Sequence, residues 1–275
     1  MQPIFGLVFW LQRKTDVASV PVMARANRLR GDGGIFHLTH RCHNRAFLLK
    51  FARDRDAYRA KLREHVQQFG VSVLDYCLTS NHVHLLVDAP ERLAVSGFMR
   101  DVASEFARAY NQRKHRSNAF WGDNYHATLV EGGEYLWQCL CYIELNMVRC
   151  GVVEHPRDWA WVGFHEIMGR RKRYRLIDVE RLCWRLRVGN VEEVRKNLIA
   201  SLAERIARDE VKRQPCWTES LAVGSLGFVE KVKPLILFRR KTEMVPRADD
   251  MWVLQDAAIP YGQKRGVENA SKAVD

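Results

Sequence analysis

The spacing of apolar and polar positions changes along this chain, and each change marks an element. Ile35 to Arg41 reads as a strand, with imperfect alternation. From Arg53 to Phe69, Tyr58, Leu62, His65, Val66 and Phe69 fall at helical spacing, and Gly70 supplies the stop common just past a helix. Val71 to Leu78 reads as a second strand. His82 to Val87 reads as a third, with Asn81 in the connection and Pro90 closing the strand. Leu93 to Arg113 is a second helix, with Phe98, Val102, Phe106 and Tyr110 on one stripe. Asn124 to Glu131 is a fourth strand. Gly132 and Gly133 break the chain, and Glu134 to Cys150 is a third helix, followed by Gly151. This order predicts an α+β fold: a ferredoxin-like split βαβ sheet, its first and third strands central, with an added helix packed nearby. Many functions use such a sheet, so the fold alone decides none.

Past residue 168 the character changes. Arg170, Arg171, Lys172, Arg173 and Arg175 form a basic run around Tyr174. Such runs are usually solvated, although phosphate contact is as good a reading here. Val179 to Leu186 and Val191 to Lys212 read as helices, the second with Leu198, Leu202, Ile206 and Val211 as its apolar stripe. Residues 220–225 and 228–238 read as a turn and a helix, which makes a small helical C-terminal region. The expected domains are an N-terminal extension at 1–22, a catalytic-type domain at 23–168, a basic linker and helical accessory region at 169–245, and a polar tail at 246–275 with the composition of a disordered segment. Ile4 to Leu11 is too short to span a membrane, and no basic segment precedes it, so it makes a poor signal peptide. No membrane partner is expected, and Met23 is a plausible true start.

Two short patterns carry chemistry. In Asn81-His82-Val83-His84, the histidines are two apart on a strand, so both imidazoles point to one side of the sheet. Two imidazoles on one face suit a divalent metal. Taken alone, such a pair is more often a hydrogen-bonded or surface pair. Downstream, Tyr142 and Asn146 are four apart on a helix and project from one face. A phenol and a carboxamide so placed can serve as nucleophile and further metal ligand. Taken alone, the tyrosine would more often be a core residue with its hydroxyl at the edge.

Together the two patterns resemble a known family. Asn81-His82-Val83-His84, followed by Tyr142-Ile-Glu-Leu-Asn146-Met-Val-Arg149, is similar to the single-tyrosine HUH transposases, and more closely to the REP-associated tyrosine transposases. The segments 36–45, 120–126 and 159–161 resemble the family's opening strand with its basic turn, the run into its last strand, and the stretch after its catalytic helix. The likeness covers roughly residues 23 to 168. Met147 stands where the family usually has proline, and Cys150 where alanine is usual. The resemblance implies metal-dependent cleavage and rejoining of single-stranded hairpin DNA through a 5′-phosphotyrosine link. Tyr142 would be the nucleophile. His82, His84 and Asn146 would hold Mg²⁺ or Mn²⁺, with imidazole ligands favouring Mn²⁺ and cellular supply Mg²⁺. Arg41, His43 and Arg45 would contact phosphates, and Trp121 and Tyr125 would stack on unpaired bases. Relatives act as monomers or as homodimers that exchange the tyrosine helix.

Net charge and cysteine usage fit this picture. The chain has 275 residues and a formal charge of +12, which favours a polyanionic partner. Seven cysteines without a Cys-x-x-Cys pair read as reduced thiols of a cytoplasmic protein rather than a disulfide scaffold. Three competing readings remain. His37-Leu38-Thr39 matches half the signature of the metal-independent two-histidine phosphoesterases, but the second string, His82-Val83-His84, lacks the hydroxyl. The same sheet also hosts non-catalytic nucleic-acid binders, and a domesticated member of the family would look identical.

Overall fold

The computed structural model describes residues 32–236, 241–247 and 250–257, so the extension at 1–22 and residues 258–275 lie outside it. Four strands, β1 (Asp32–Arg41), β2 (Ser72–Leu78), β3 (His82–Glu91) and β4 (His126–Val130), pair in the order β2-β3-β1-β4, all antiparallel. The central pair is β1–β3, as predicted, with Phe36 opposite Val87, Thr39 opposite His84 and Arg41 opposite His82. Pro90 does not close β3, which continues to Glu91 opposite Asp32. By then β2 has ended, its Ser72 lying opposite Asp88, so one flank of β3 is free to accommodate a residue without N–H. Across from it, a Cβ on Gly33 would sit 1.7 Å from the Ala89 carbonyl oxygen, an approach that excludes any side chain.

Alternation gives the sheet two distinct faces. Leu38, Val83, Leu85, Tyr76 and Leu78 are buried on one face, against α1 (Ala52–Val66) and α2 (Arg92–Lys114), whose Tyr58, Leu62, Phe98 and Val102 are also buried. His37, Thr39, His82, His84 and Leu86 occupy the other face. The tyrosine-bearing helix packs there, but it is broken: α3 (Glu134–Glu144) ends at Leu145, with φ −79° and ψ 5°, and α4 (Asn146–Arg149) begins directly after.

The C-terminal region departs most from expectation. Helices α5 (Phe164–Ile167), α6 (Val179–Leu186), α7 (Val191–Ala207) and α8 (Cys216–Glu219) are present, with α7 ending before Lys212. The expected turn at 220–225 contains a strand, β5 (Ala222–Gly224), parallel to β4. The helix expected at 228–238 shortens to α9 (Leu226–Val232) and a 3₁₀ turn. Strands β6 (Thr242–Pro246) and β7 (Trp252–Asp256) then complete a seven-stranded mixed sheet, β2-β3-β1-β4-β5-β7-β6. Trp252, Val253 and Leu254 supply a short β-forming run inside a polar stretch, too brief to register as a periodicity. Pairing with β5 removes β4 as an open edge.

Two buried charge systems tie this region to the sheet. Glu166 on α5 is 2% exposed and accepts four hydrogen bonds: Arg59 Nη2 at 2.7 Å, Tyr76 OH at 2.7 Å, and the backbone N–H groups of Leu176 at 2.5 Å and Ile177 at 2.9 Å. Asp88 on β3 accepts from Arg185 of α6 through both oxygens, at 2.6 and 2.7 Å, and also from Arg181.

A third system is uncompensated. Asp75 on β2 and Glu144 at the end of α3 are buried with their carboxyl groups facing, and neither makes a salt bridge among the described residues. Burial raises both well above the ordinary carboxylate range, and for Glu144 the neighbouring Asp75 adds to it. The native state therefore keeps protons that the unfolded chain releases above roughly pH 4. The pair's contribution is complete at acidic pH and is lost as pH rises. Glu144→Gln is expected to raise the thermal midpoint at pH 8 and leave it nearly unchanged at pH 4.5. Melts showing an equal shift at both pH values would refute this.

Candidate active site

The strand pleat brings His82 and His84 to the same face, with ring centroids 5.0 Å apart. Their hydrogen bonds fix which nitrogens are bare. His82 Nδ1 lies 2.7 Å from Asn81 Oδ1 and 2.9 Å from Thr79 Oγ1, whose hydroxyl donates to the His82 carbonyl. Both oxygens accept, so Nδ1 carries the hydrogen and Nε2 is left with its lone pair. For His84 the assignment starts further away. The carbonyl of Trp217 on α8 can only accept, so His37 Nδ1 donates to it at 2.8 Å. His37 Nε2 then accepts from His84 Nδ1 at 2.9 Å. His84 Nε2 is in turn bare and accepts from Asn146 Nδ2 at 2.9 Å.

All three imidazoles are held neutral. Burial, reinforced by nearby cations, lowers His82 and His37 to about 3, and His84 lies well below its ordinary value for the same reason. Asn146 Oδ1 is buried with no hydrogen-bond partner. A half-turn of that amide places the oxygen where Nδ2 now meets His84. Two bare Nε2 atoms and one orphaned amide oxygen make a neutral donor set that fits a divalent cation, and hydrogen bonds to His37 and Asn81 fix the two imidazoles from behind.

Tyr142 completes the group from α3. It is 6% exposed, with its ring centroid 6.2 Å from His84, 6.1 Å from His37 and 6.3 Å from Trp217. Burial raises its pKa, while the charges of Arg149 and Arg213 oppose the shift. The Arg149 guanidinium sits 4.0 Å from the ring centroid, and its Nη2 donates to the Tyr142 carbonyl at 3.1 Å. One chain thus supplies the histidines, the amide and the phenol.

The remaining expected residues separate into two groups. Arg41 is exposed on the same face, opposite His82. His43 and Arg45 lie in a 3₁₀ turn joined to the loop before His82, since Asn81 Nδ2 donates to the Arg45 carbonyl at 3.1 Å and Cys42 N–H to the Asn81 carbonyl at 2.8 Å. The others are not brought to the site. The Trp121 ring stacks on His40 at 4.0 Å, its Nε1 donates to Ala103, and Tyr125 is 8% exposed. Both border a cavity of about 1000 Å³ against α2, on the opposite face of the sheet. Arg170 lies against Phe164, and Arg171 donates to Tyr76 OH and the Ala160 carbonyl. Lys172 and Arg173 are exposed on a connection between two segments that flank the outer edge of β2.

Sequence reading missed His37, Arg149 and the Trp217 carbonyl as parts of the site. His37 was visible as part of the opening strand and as half of a competing motif, with no role in the site. Here both of its nitrogens are engaged and its side chain is inaccessible, so it cannot exchange protons with a substrate. Arg149 carried one local signal, its position seven residues after Tyr142, two turns along the same helical path. A different grouping, Glu64, His65 and Glu105, also converges on one point, but Lys61 Nζ already lies 2.5 Å from Glu64 and 3.2 Å from Glu105 as their cation. Among the described residues no helix is long and apolar enough to cross a membrane.

Comparison with known proteins gives consistent matches. Residues 33–146 match the family described as IS200-like transposase. A REP-associated tyrosine transposase of Haemophilus influenzae is 27% identical over 119 residues, spanning 39% of this chain and 67% of the relative. The solved structure of a REP-associated tyrosine transposase bound to a REP hairpin is 19% identical, with TM-score 0.47, over 54% of this chain and 87% of that one. A transposase structure from Deinococcus radiodurans R1 is 21% identical, with TM-score 0.32, over 41% of this chain and 89% of that one.

Proposed function

We propose that this chain, whose residues 33–146 match the IS200-like transposase family, cleaves and rejoins single-stranded hairpin DNA with Tyr142 as nucleophile. The observation that carries this reading is the convergence of the His82 and His84 imidazoles, the Asn146 amide and the Tyr142 ring on one face of the sheet. His82, His84 and Asn146 would hold Mg²⁺ or Mn²⁺, which supplies Lewis acidity at the scissile phosphodiester. Tyr142 Oη attacks phosphorus and loses its proton to solvent. A phenol–phosphate bond forms, the bond to the 3′ oxygen breaks, and the strand leaves with a free 3′-hydroxyl. The reverse step, with a different 3′ end, joins two strands without an external energy source. Arg149 and Arg213 stabilise the phenolate, and Arg41, His43 and Arg45 hold flanking phosphates.

The test is covalent capture. Full-length protein is incubated with labelled hairpin oligonucleotides carrying single-stranded tails, with Mn²⁺ or with EDTA. A denaturant-resistant adduct that needs the metal and maps to the Tyr142 peptide supports the reading. Tight binding with no adduct across a broad hairpin set would replace it with a non-catalytic DNA-binding role.

The orienting chain makes a separate claim about affinity. His37→Ala removes the acceptor that holds His84 Nδ1 and is expected to weaken Mn²⁺ binding by about 10- to 100-fold. Calorimetric titration with Mn²⁺ reads this directly, and an unchanged affinity would remove His37 from the site.

A further inference from the structure

The chain beyond residue 146 builds a second cationic feature beside Tyr142. A cavity of about 710 Å³ lies between α3, the end of α7, the segment leading into α8, and residues 247 and 251. Its walls include Gln138, Arg205, Lys212, Arg213, Cys216 and Arg247, with Glu210 as the one acidic residue. The four cations are poorly compensated. Arg213 pairs with Glu219, but both side chains are about 60% exposed, which makes the pair weak. Arg247 has a 3.5 Å contact to Gln255, and Arg205 and Lys212 make no salt bridge among the described residues.

The position of the cavity relates it to the nucleophile. Gln138 lies one turn before Tyr142 on α3, and Cys216 precedes Trp217, whose ring is 6.3 Å from the Tyr142 ring. The charge of Arg213 bears on Tyr142, Arg149 and Arg41. A line of positive charge thus runs from Arg41 past the tyrosine and into the cavity. Four cations outnumber the nearby carboxylates of Glu210 and Glu219, and the excess positive charge repels itself unless an anion joins it.

We propose that this cavity binds the phosphodiester backbone of the single strand immediately flanking the scissile phosphate. The accessory region then grips the strand, a task that the 33–146 segment does not perform alone. The inference rests on the DNA-cleaving reading for its occupant, but its test needs no cleavage.

The triple variant Arg205→Gln, Lys212→Gln, Arg247→Gln, in the full chain, is titrated by fluorescence anisotropy against labelled hairpins with and without a dT tail. The titrations run in EDTA between 50 and 300 mM NaCl. Each phosphate contact to a single strand contributes about 0.7 to the slope of log K against log salt, so losing three lowers it by about 2. This reduction is expected with tailed hairpins only. The single variant Lys212→Glu, at an exposed position, should weaken tailed binding without shifting the thermal midpoint. An unchanged slope, or an equal loss on tailless hairpins, would overturn the proposal and leave the cations to another polyanion such as an acidic protein segment. A reduced slope alongside failure of covalent capture would keep the cavity and reject the chemistry.

Discussion

Tyr142→Phe is expected to lower strand cleavage by about 10⁴-fold or more while leaving hairpin affinity within about twofold. The substitution removes one oxygen and keeps the ring among His84, His37 and Trp217, so packing is preserved. Two neighbouring hydroxyls are already engaged, Thr79 with the His82 carbonyl and Thr128 with the carbonyls of Trp217 and Ser220. The same environment sets a pH dependence. Burial holds the phenol above its ordinary pKa of about 10, so the phenolate is scarce at neutral pH and cleavage should climb with pH across the neutral range. Arg149→Gln removes the cation at 4.0 Å and should lower the whole profile. Single-turnover cleavage at fixed Mn²⁺ from pH 6.5 to 9 measures both. Residual cleavage by the phenylalanine variant within tenfold of wild type would exclude the tyrosine as nucleophile.

The largest expected stability effect lies away from the chemistry. Glu166→Ala is expected to cost about 3–5 kcal/mol, because it strands a buried guanidinium and three further donors at once. Arg59 side-chain exposure is 6%, so water cannot take the place of the carboxylate. Urea unfolding should show a lower midpoint with an unchanged slope. A loss below about 1 kcal/mol would mean that the network relaxes around the gap.

What was legible in the sequence was what is local. Periodicity gave the four strands and their split βαβ order. The two-residue spacing of His82 and His84 and the four-residue spacing of Tyr142 and Asn146 placed the donor set. His37 was not legible as the hydrogen-bond partner of His84, because that contact depends on pairing between strands, across 47 positions of chain. The C-terminal strands were missed for a different reason. β5 has three residues and gains its identity only by pairing with β4. Pro90 misled because the rule against proline assumes two flanking strands, and only one is present there. Trp121 and Tyr125 have the right chemistry for stacking on bases, but burial and the His40 ring decide how they are used.

The bond from His37 to Trp217 spans 180 positions of chain, and it has a genetic consequence. A gene copy truncated after codon 168 would still encode both histidines, the asparagine and the tyrosine. Its product would lack the carbonyl that sets the His37 tautomer and the strand that covers β4. Such copies are expected to be inert and poorly soluble, although their motifs are intact. Surveys that score these genes by motif alone would then overcount active copies, and the sequence around Trp217 would be the more discriminating marker.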